Sequence, residues 1–490
     1  MIAWTIYISF FGAAMLMFLP ANNPRLARIV ALATALLGLG AGLAGWAHCE
    51  PGSLTDVVKL NWVPELGIHY HLAVDGISVT LVLLTGIAAV AGVLFSWNIE
   101  SRAKEFFALY FALIGGVYGV FLSFDLFLLF VFYELAIIPK YFLIAIWGST
   151  RREYGAMKLA LYSFIGSAMV LVGLIAAYIV SGAHTFDLVE LAKYPFPAAF
   201  QNWAFILVFV GFAILAGLWP FHTWAPTGHV AAPTAASMLL AGVVMKLGAY
   251  GALRVAMTLF PEGLHTWRNV IALLAVIGIV YGAMVALVQR DFKFVIGYSS
   301  VSHMGFVLLG LMTLTQIGLS GAVLQMFSHG IIAGLLFAVV GRMIYDRTHT
   351  RDLEELQPLN LNRIAPFAAV TFVIGGAASM GLPGFSGFIA ELQVLVGAWQ
   401  AFPVFTVLAG LGILIGVAYT LRALIKAFFA EGANINPTEL TPISIPERAG
   451  AILLLTITLV IGLCPKLLLD LILPSLNTPL MQPLWKGGLS

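Results

Sequence analysis

The stretch from Phe212 to Tyr250, FAILAGLWPFHTWAPTGHVAAPTAASMLLAGVVMKLGAY, leaves this chain few ways to fold. Both ends have the apolar quality of membrane-embedded sequence. The middle carries Pro220, His222, Pro226, His229 and Pro233, and the second half carries Lys246. Each proline removes a backbone donor and crowds the preceding turn, so no single helix runs through that middle. Non-helical backbone at membrane depth survives only inside protein or beside water. A broken helix next to an intramembrane lysine therefore points to an ion path. Composition sets the class: 61% of the 490 residues are hydrophobic and 9% charged, too little polar surface for a soluble globule.

Apolar runs long enough to cross about 30 Å of hydrocarbon recur about fourteen times. The expectation is an all-α polytopic membrane protein. The first run, ahead of Pro20, has no preceding positive charge and no small-residue cleavage site, and is read as the first span rather than a signal peptide. Between the second and third runs, Glu50 to Asp75 alternates and contains Pro64 and Gly67, which predicts a short hairpin or irregular cap. A second interrupted run lies near 365–400, where Gly381, Pro383 and Gly384 break the pattern.

Each break is fourth in a block of five spans, which predicts two repeats. An odd number of spans per unit inverts the second unit in the membrane. The expected organisation is 1–105 for three N-terminal helices with the hairpin, 106–258 for the first repeat, 269–430 for the second, and 431–490 for a last helix and tail. Lys and Arg gather in alternate loops, among them Arg151, Arg152, Arg290 and Lys293. By the positive-inside rule both termini then lie on the outer side and the 220–233 linker on the inner side.

Ionisable residues within spans are costly, at roughly 3 kcal/mol or more on insertion scales, and so have a partner, a water path or a function. Glu134, in LFVFYELAIIPKYFL, is either a switchable proton holder or half of a static ion pair. Lys140, six positions on and after Pro139, faces another side of an unbroken helix and can snorkel to an interface. Lys246 is either a lysine of tunable proton affinity or a cap for carbonyls freed at the break. Glu391 is either the terminal carboxyl of a path or the partner of a buried cation. His303 and His329 lie in successive spans with serines nearby, as relays or as satisfied core residues. His222 and His229 sit in the first break and can equally bind freed carbonyls. His69 and His71 belong to the outer cap, and no chemistry is assigned to them.

No nucleotide-binding glycine loop, iron–sulfur cysteine cluster or haem- or zinc-spaced histidine pair occurs. Cys49 and Cys464 fit neither a disulfide nor a metal site, and a net charge of +2 without basic runs argues against nucleic acid. The chain can carry ions, but its energy must come from partners or another gradient.

FYELAIIPKYFLIAIWG, PFHTWAPTGHVAAPTAASMLLAGVVMKLGAYG, FKFVIGYSSVSHMGF, MFSHGIIAGLLF and GLPGFSGFIAE together closely resemble the antiporter-like subunits of respiratory complex I, and among them the subunit M (chain 4) group. The resemblance covers nearly the whole chain. It implies a fourteen-helix fold with two inverted five-helix repeats, and proton translocation driven by quinone reduction elsewhere in the complex. Glu134, Lys246 and Glu391 match the family's acid of the fifth span, central lysine of the eighth and acid of the twelfth. Related subunits generally carry lysine at the last position, so Glu391 favours subunit M.

The implied partners are other membrane-arm subunits, especially antiporter-like neighbours, within the lipid of a cell inner membrane. NADH, FMN, iron–sulfur clusters and quinone are implied in those partners, with no cofactor, metal or redox centre in this chain. Two alternatives are a subunit of a multisubunit cation/proton antiporter and a structural subunit that no longer pumps. One departure stands out: where the family usually has a lysine in the seventh span, five residues before Pro220, this chain has Leu215.

Overall fold

The computed structural model describes residues 1–20, 23–430 and 440–485. Among them, twelve helices are long and apolar enough to cross a membrane. They begin with α2 (Pro24–Ala47), α3 (Gly76–Phe95), α4 (Ala103–Leu122), α5 (Leu126–Trp147) and α6 (Arg152–Ser181). Two shorter apolar helices, α1 (Trp4–Phe18) and one at Pro366–Ser379, occupy the first and twelfth expected runs. Of the stretch expected as 431–490, residues 431–439 and 486–490 lie outside the described residues.

Local chemistry sets many helix starts. Side chains of Asn23, Asp75 and Asp125 accept hydrogen bonds from the first turns of α2, α3 and α5, satisfying donors that have no intrahelical acceptor.

The broken stretch contains two interruptions. Helix α7 (Ala198–Ala216) ends at Gly217, whose φ of +84° suits a residue without Cβ. A short helix α8 (Trp224–Ala231) follows, and a second break at Ala232–Pro233 leads into α9, Thr234–Met257. The middle thus holds more helix than the prolines suggest. Pro226 falls in the first turn of α8, where its missing N–H removes no intrahelical bond. Helix α9 is loosened by π-type turns at Leu240–Val244 and Ala252–Met257.

The later helices are α10 (Pro261–Val288), α11 (Phe292–Met312), α12 (Gln316–Thr348), α13 (Pro366–Ser379), α14 (Ser386–Ala401), α15 (Pro403–Phe429), α16 (Ile445–Leu463) and α17 (Lys466–Ser475). The second break separates α13 from α14, with Gly381 and Gly384 at φ of +71° and +99°.

The expected hairpin is a two-stranded antiparallel sheet, β1 (Thr55–Val63) and β2 (Ile68–Val74). It is stitched to the start of α5: Phe124 N–H donates to the His71 carbonyl, and His69 N–H donates to the Asp125 carboxylate.

Helices α9 and α12 lie at the centre, wholly buried over their apolar windows. Gly242 and Gly330 let them touch backbone to backbone: a Cβ on Gly330 would lie 2.6 Å from the Gly242 carbonyl oxygen. That close approach sets the geometry of the site.

Candidate functional site: a buried chain of ionisable side chains

Lys246 is fully buried on α9. Its Nζ donates to the Ala241 carbonyl, five residues back at the π-type turn, and lies 2.8 Å from His329 Nδ1 on α12. Lys246 thus meets a carbonyl of a loosened turn and also faces an ionisable side chain. An ammonium has only donors, so with Lys246 charged His329 Nδ1 accepts and the neutral ring carries its proton on Nε2. His329 Nε2 has no protein partner.

The His329 and His303 rings lie 5.5 Å apart, centroid to centroid, joining α12 to α11. His303 Nδ1 is 2.8 Å from Glu391 Oε1, and its Nε2 is 3.2 Å from Ser379 Oγ. Glu391, buried on α14, also accepts a hydrogen bond from Gln325 Nε2 at 3.1 Å. A cavity of about 10 Å³ beside His303, Glu391 and Tyr419 is about the size of one water.

The second break serves this end of the chain. Ser379, the last residue of α13, bonds His303, and a Cβ on Gly381 would stand 3.1 Å from Glu391 Oε2. The interrupted backbone thus makes room for a carboxylate that an unbroken helix would crowd.

The first half is arranged differently. Glu134 is partly buried on α5, with one carboxylate oxygen lacking a protein partner. Lys140 does not snorkel: it is 1% exposed, and its Nζ also lacks a protein partner. It lies on the inward face of α5 with Tyr133, Ala136 and Ile137, so packing of neighbouring helices closes the route to an interface. Leu215 is buried on α7, where Gly248 of α9 packs against its backbone. Neither Glu134 nor Lys140 touches the chain from Lys246 to Glu391 through a hydrogen bond.

His222 and His229 are buried, and none of their ring nitrogens has a protein partner. The Pro220 backbone faces the His222 ring, while the carbonyls around Pro233 are met by other groups. Ser237 Oγ donates to the His229 carbonyl at 2.7 Å, and Lys293 Nζ donates to the Ala232 carbonyl at 3.2 Å, so those acceptors are already met. His222 packs edge-on to Tyr281, and His229 packs against Phe337.

Sequence reasoning missed three groups. Lys293, counted as a loop cation, is 2% exposed at the start of α11 and borders a cavity of about 270 Å³ with Pro233, Arg342 and Asp346. The signal was available, since the carbonyl before Pro233 calls for a donor. Arg254 pairs with Asp75, both buried, tying the end of α9 to the start of α3.

The hairpin's His71 lies 2.8 Å from Asp187 and 2.9 Å from Asp56, and Lys59 lies 2.8 Å from Asp187. Burial works against the His71 cation, but its carboxylate partners outweigh burial and hold its pKa above the ordinary histidine value. Burial likewise opposes the Asp187 carboxylate, and His71 and Lys59 hold it below the usual range. The separation of 116 residues between His71 and Asp187 hid this cluster from any local reading.

Comparison with known proteins agrees with this architecture. The family model described as NADH:quinone oxidoreductase/Mrp antiporter, TM, matches residues 123–416. NADH-quinone oxidoreductase subunit M of Rhodobacter capsulatus is 38% identical over 446 residues, 88% of this chain and 86% of the relative. NAD(P)H-quinone oxidoreductase chain 4 2 of Microcystis aeruginosa is 39% identical over 405 residues, covering 81% and 73% of the two chains. A chain in the structure of respiratory complex I from Thermus thermophilus with bound NADH superposes with a TM-score of 0.90 at 28% identity, over 100% of both chains. A chain of the Mrp complex from Dietzia sp. DQ12-45-1b shares the fold, with a TM-score of 0.87 at 22% identity over 98% and 97% of the chains. The fold, the family match over the segment that carries Glu134, Lys246, His303, His329 and Glu391, and the similarity along most of the chain agree: this chain belongs to the NADH:quinone oxidoreductase/Mrp antiporter family of membrane subunits.

Proposed function

We propose that this chain is a proton-translocating membrane-arm subunit of a complex I-type NADH:quinone oxidoreductase. The observation that carries the reading is the buried series Lys246, His329, His303, Glu391, in which Lys246 meets His329 and His303 meets Glu391 at 2.8 Å. Protons enter from the cavity beside Pro233, pass Lys293 and His229, and load Lys246. Lys246 Nζ gives its proton to His329 Nδ1, and His329 releases one from Nε2. One water between the histidine rings carries it to His303, which protonates Glu391. Glu391 discharges through the small cavity bordered by Tyr419.

Partner subunits hold the NADH, FMN, iron–sulfur and quinone chemistry, and antiporter-like neighbours supply the drive as conformational and charge changes. In this reading the chain comprises fourteen spans. Units 106–258 and 269–430 are inverted five-helix repeats that follow 1–105 and precede 431–490. It lies in a cell inner membrane, with both termini outside and Lys293 near the inner face.

Proton translocation per NADH oxidised, in vesicles holding the whole complex, tests this. Lys246→Ala and Glu391→Ala each abolish translocation attributable to this subunit while the complex still assembles. Native pumping in both would overturn it. The likeness to the Mrp complex favours a second reading, a cation/proton antiporter subunit, through fold alone. Sodium-dependent proton movement without NADH oxidation would select it.

A further inference from the structure

Gln325 stands four residues before His329, on the same face of α12, and is buried. Its Nε2 donates at 3.1 Å to Glu391 Oε1, the oxygen that His303 Nδ1 approaches to 2.8 Å. Its own Oε1 is enclosed and has no protein partner. A buried carbonyl without a donor is costly, so an apolar side chain would fill this space better if filling space were the only need. The two oxygens of Glu391 are also unlike. Oε1 takes both bonds, while Oε2 faces Gly381, where a Cβ would stand 3.1 Å away. Gly381 follows Met380, which lines the small cavity beside Glu391.

We propose that Gln325 is a positioning residue that gives the proton step at Glu391 its direction. When His303 delivers its proton, the Nδ1–H bond breaks and an O–H bond forms on Glu391 Oε1. Oε1 is then a hydroxyl oxygen, and a poorer acceptor for the Gln325 N–H than the carbonyl oxygen Oε2. The terminal torsion of a glutamate is broad and roughly two-fold, so a half-turn of the carboxyl group needs little space. It brings the carbonyl oxygen to Gln325 and carries the O–H toward Gly381, away from His303. No bond breaks in this rotation. Loss of the proton on the Gly381 side restores a carboxylate with two equivalent oxygens, ready for the next delivery. Gly381, without a Cβ, leaves room for the hydroxyl.

This role rests on the pumping function proposed above, and two readouts on the assembled complex separate them. Gln325→Met and Gln325→Leu both remove the N–H, and either one that assembles decides the matter. In difference infrared spectra during NADH oxidation, the carboxylic-acid carbonyl band of Glu391 is the one lost in Glu391→Gln. It moves to higher wavenumber in the Gln325 variants, because its carbonyl no longer accepts a hydrogen bond. An unmoved band overturns the role. Proton translocation per NADH in vesicles stays within about twofold of native without an opposing pH gradient, and falls about fivefold against one, the worth of one hydrogen bond. Native translocation against the gradient, or an equal loss with and without it, overturns the role as well. Native translocation in Lys246→Ala instead overturns the pumping function, and the direction assigned to Gln325 with it.

Discussion

His71 shows how a single side chain can bind two distant parts of a membrane protein. It joins the exposed Asp56 of its own hairpin to the buried Asp187, which caps a helical turn at Leu188–Leu191. Because the pKa of His71 is raised, its contribution is complete at and below the ordinary histidine range and is lost as pH rises through the raised value. Asp187, held low, loses its contribution only as pH falls through its depressed value. Hydrogen exchange at residues 55–74, corrected for intrinsic rates, is therefore expected to accelerate on the alkaline side in the native chain. In His71→Gln that alkaline step disappears. Asp187→Ala strands a buried imidazole and removes a cap, and costs about 3 kcal/mol, measurable as a lower unfolding temperature.

The charged residues of the spans were legible one by one, because a lysine or glutamate among apolar neighbours is costly wherever it ends up. Their partners were not legible. Lys140 looked free to snorkel because a helix read alone has no neighbours, and packing against α4 and α6 removed that freedom. His229 looked available to the broken backbone, yet Ser237 and Lys293 reach the carbonyls before Pro233 instead.

Between elements, contact distance decides function. The pair α9 and α12 meets at Gly242 and Gly330, and only that approach brings Lys246 Nζ to His329 Nδ1. In Gly330→Val a branched side chain would enter space occupied by the Gly242 carbonyl oxygen, 2.6 Å from the Cβ, and the Leu84 methyl groups, 2.6 and 2.8 Å from it. The helices must separate, at about 1–3 kcal/mol for an overpacked site. The expected outcome is an assembled complex with translocation lowered about tenfold. Gly330→Ser, a smaller intrusion, is expected to lose less. Both breaks in the helix pattern could be anticipated from proline and glycine, which act through local backbone geometry. The short helix α8 inside the first break could not, since only its seat against α6 and α11 shows how Pro226 is accommodated at a helix start.

For the molecule as a whole, one buried ion pair fastens the N-terminal helices to the centre. Asp75 caps α3 through one carboxylate oxygen and holds Arg254 of α9 with the other, while the guanidinium lies over the rings of Phe124 and Tyr250. Asp75→Ala leaves a guanidinium buried without its countercharge and is expected to destabilise the chain by about 3–5 kcal/mol. The observable is loss of this subunit from the purified complex, or a lowered unfolding temperature. Replacing both partners at once, Asp75→Asn with Arg254→Met, is expected to recover part of that loss, because no lone charge remains.

The amino-acid sequence by itself determined the membrane class, the two interrupted helices, the hairpin and the set of ionisable residues inside the spans. These follow from length, hydropathy and the backbone chemistry of proline and glycine, all of which act within a few residues of one another. Only the tertiary structure decided which ionisable groups meet. Lys246 reaches His329 across 83 residues, and His303 reaches Glu391 across 88. Such encounters depend on how helices rotate and how closely they pack, and a helix read alone carries no record of either.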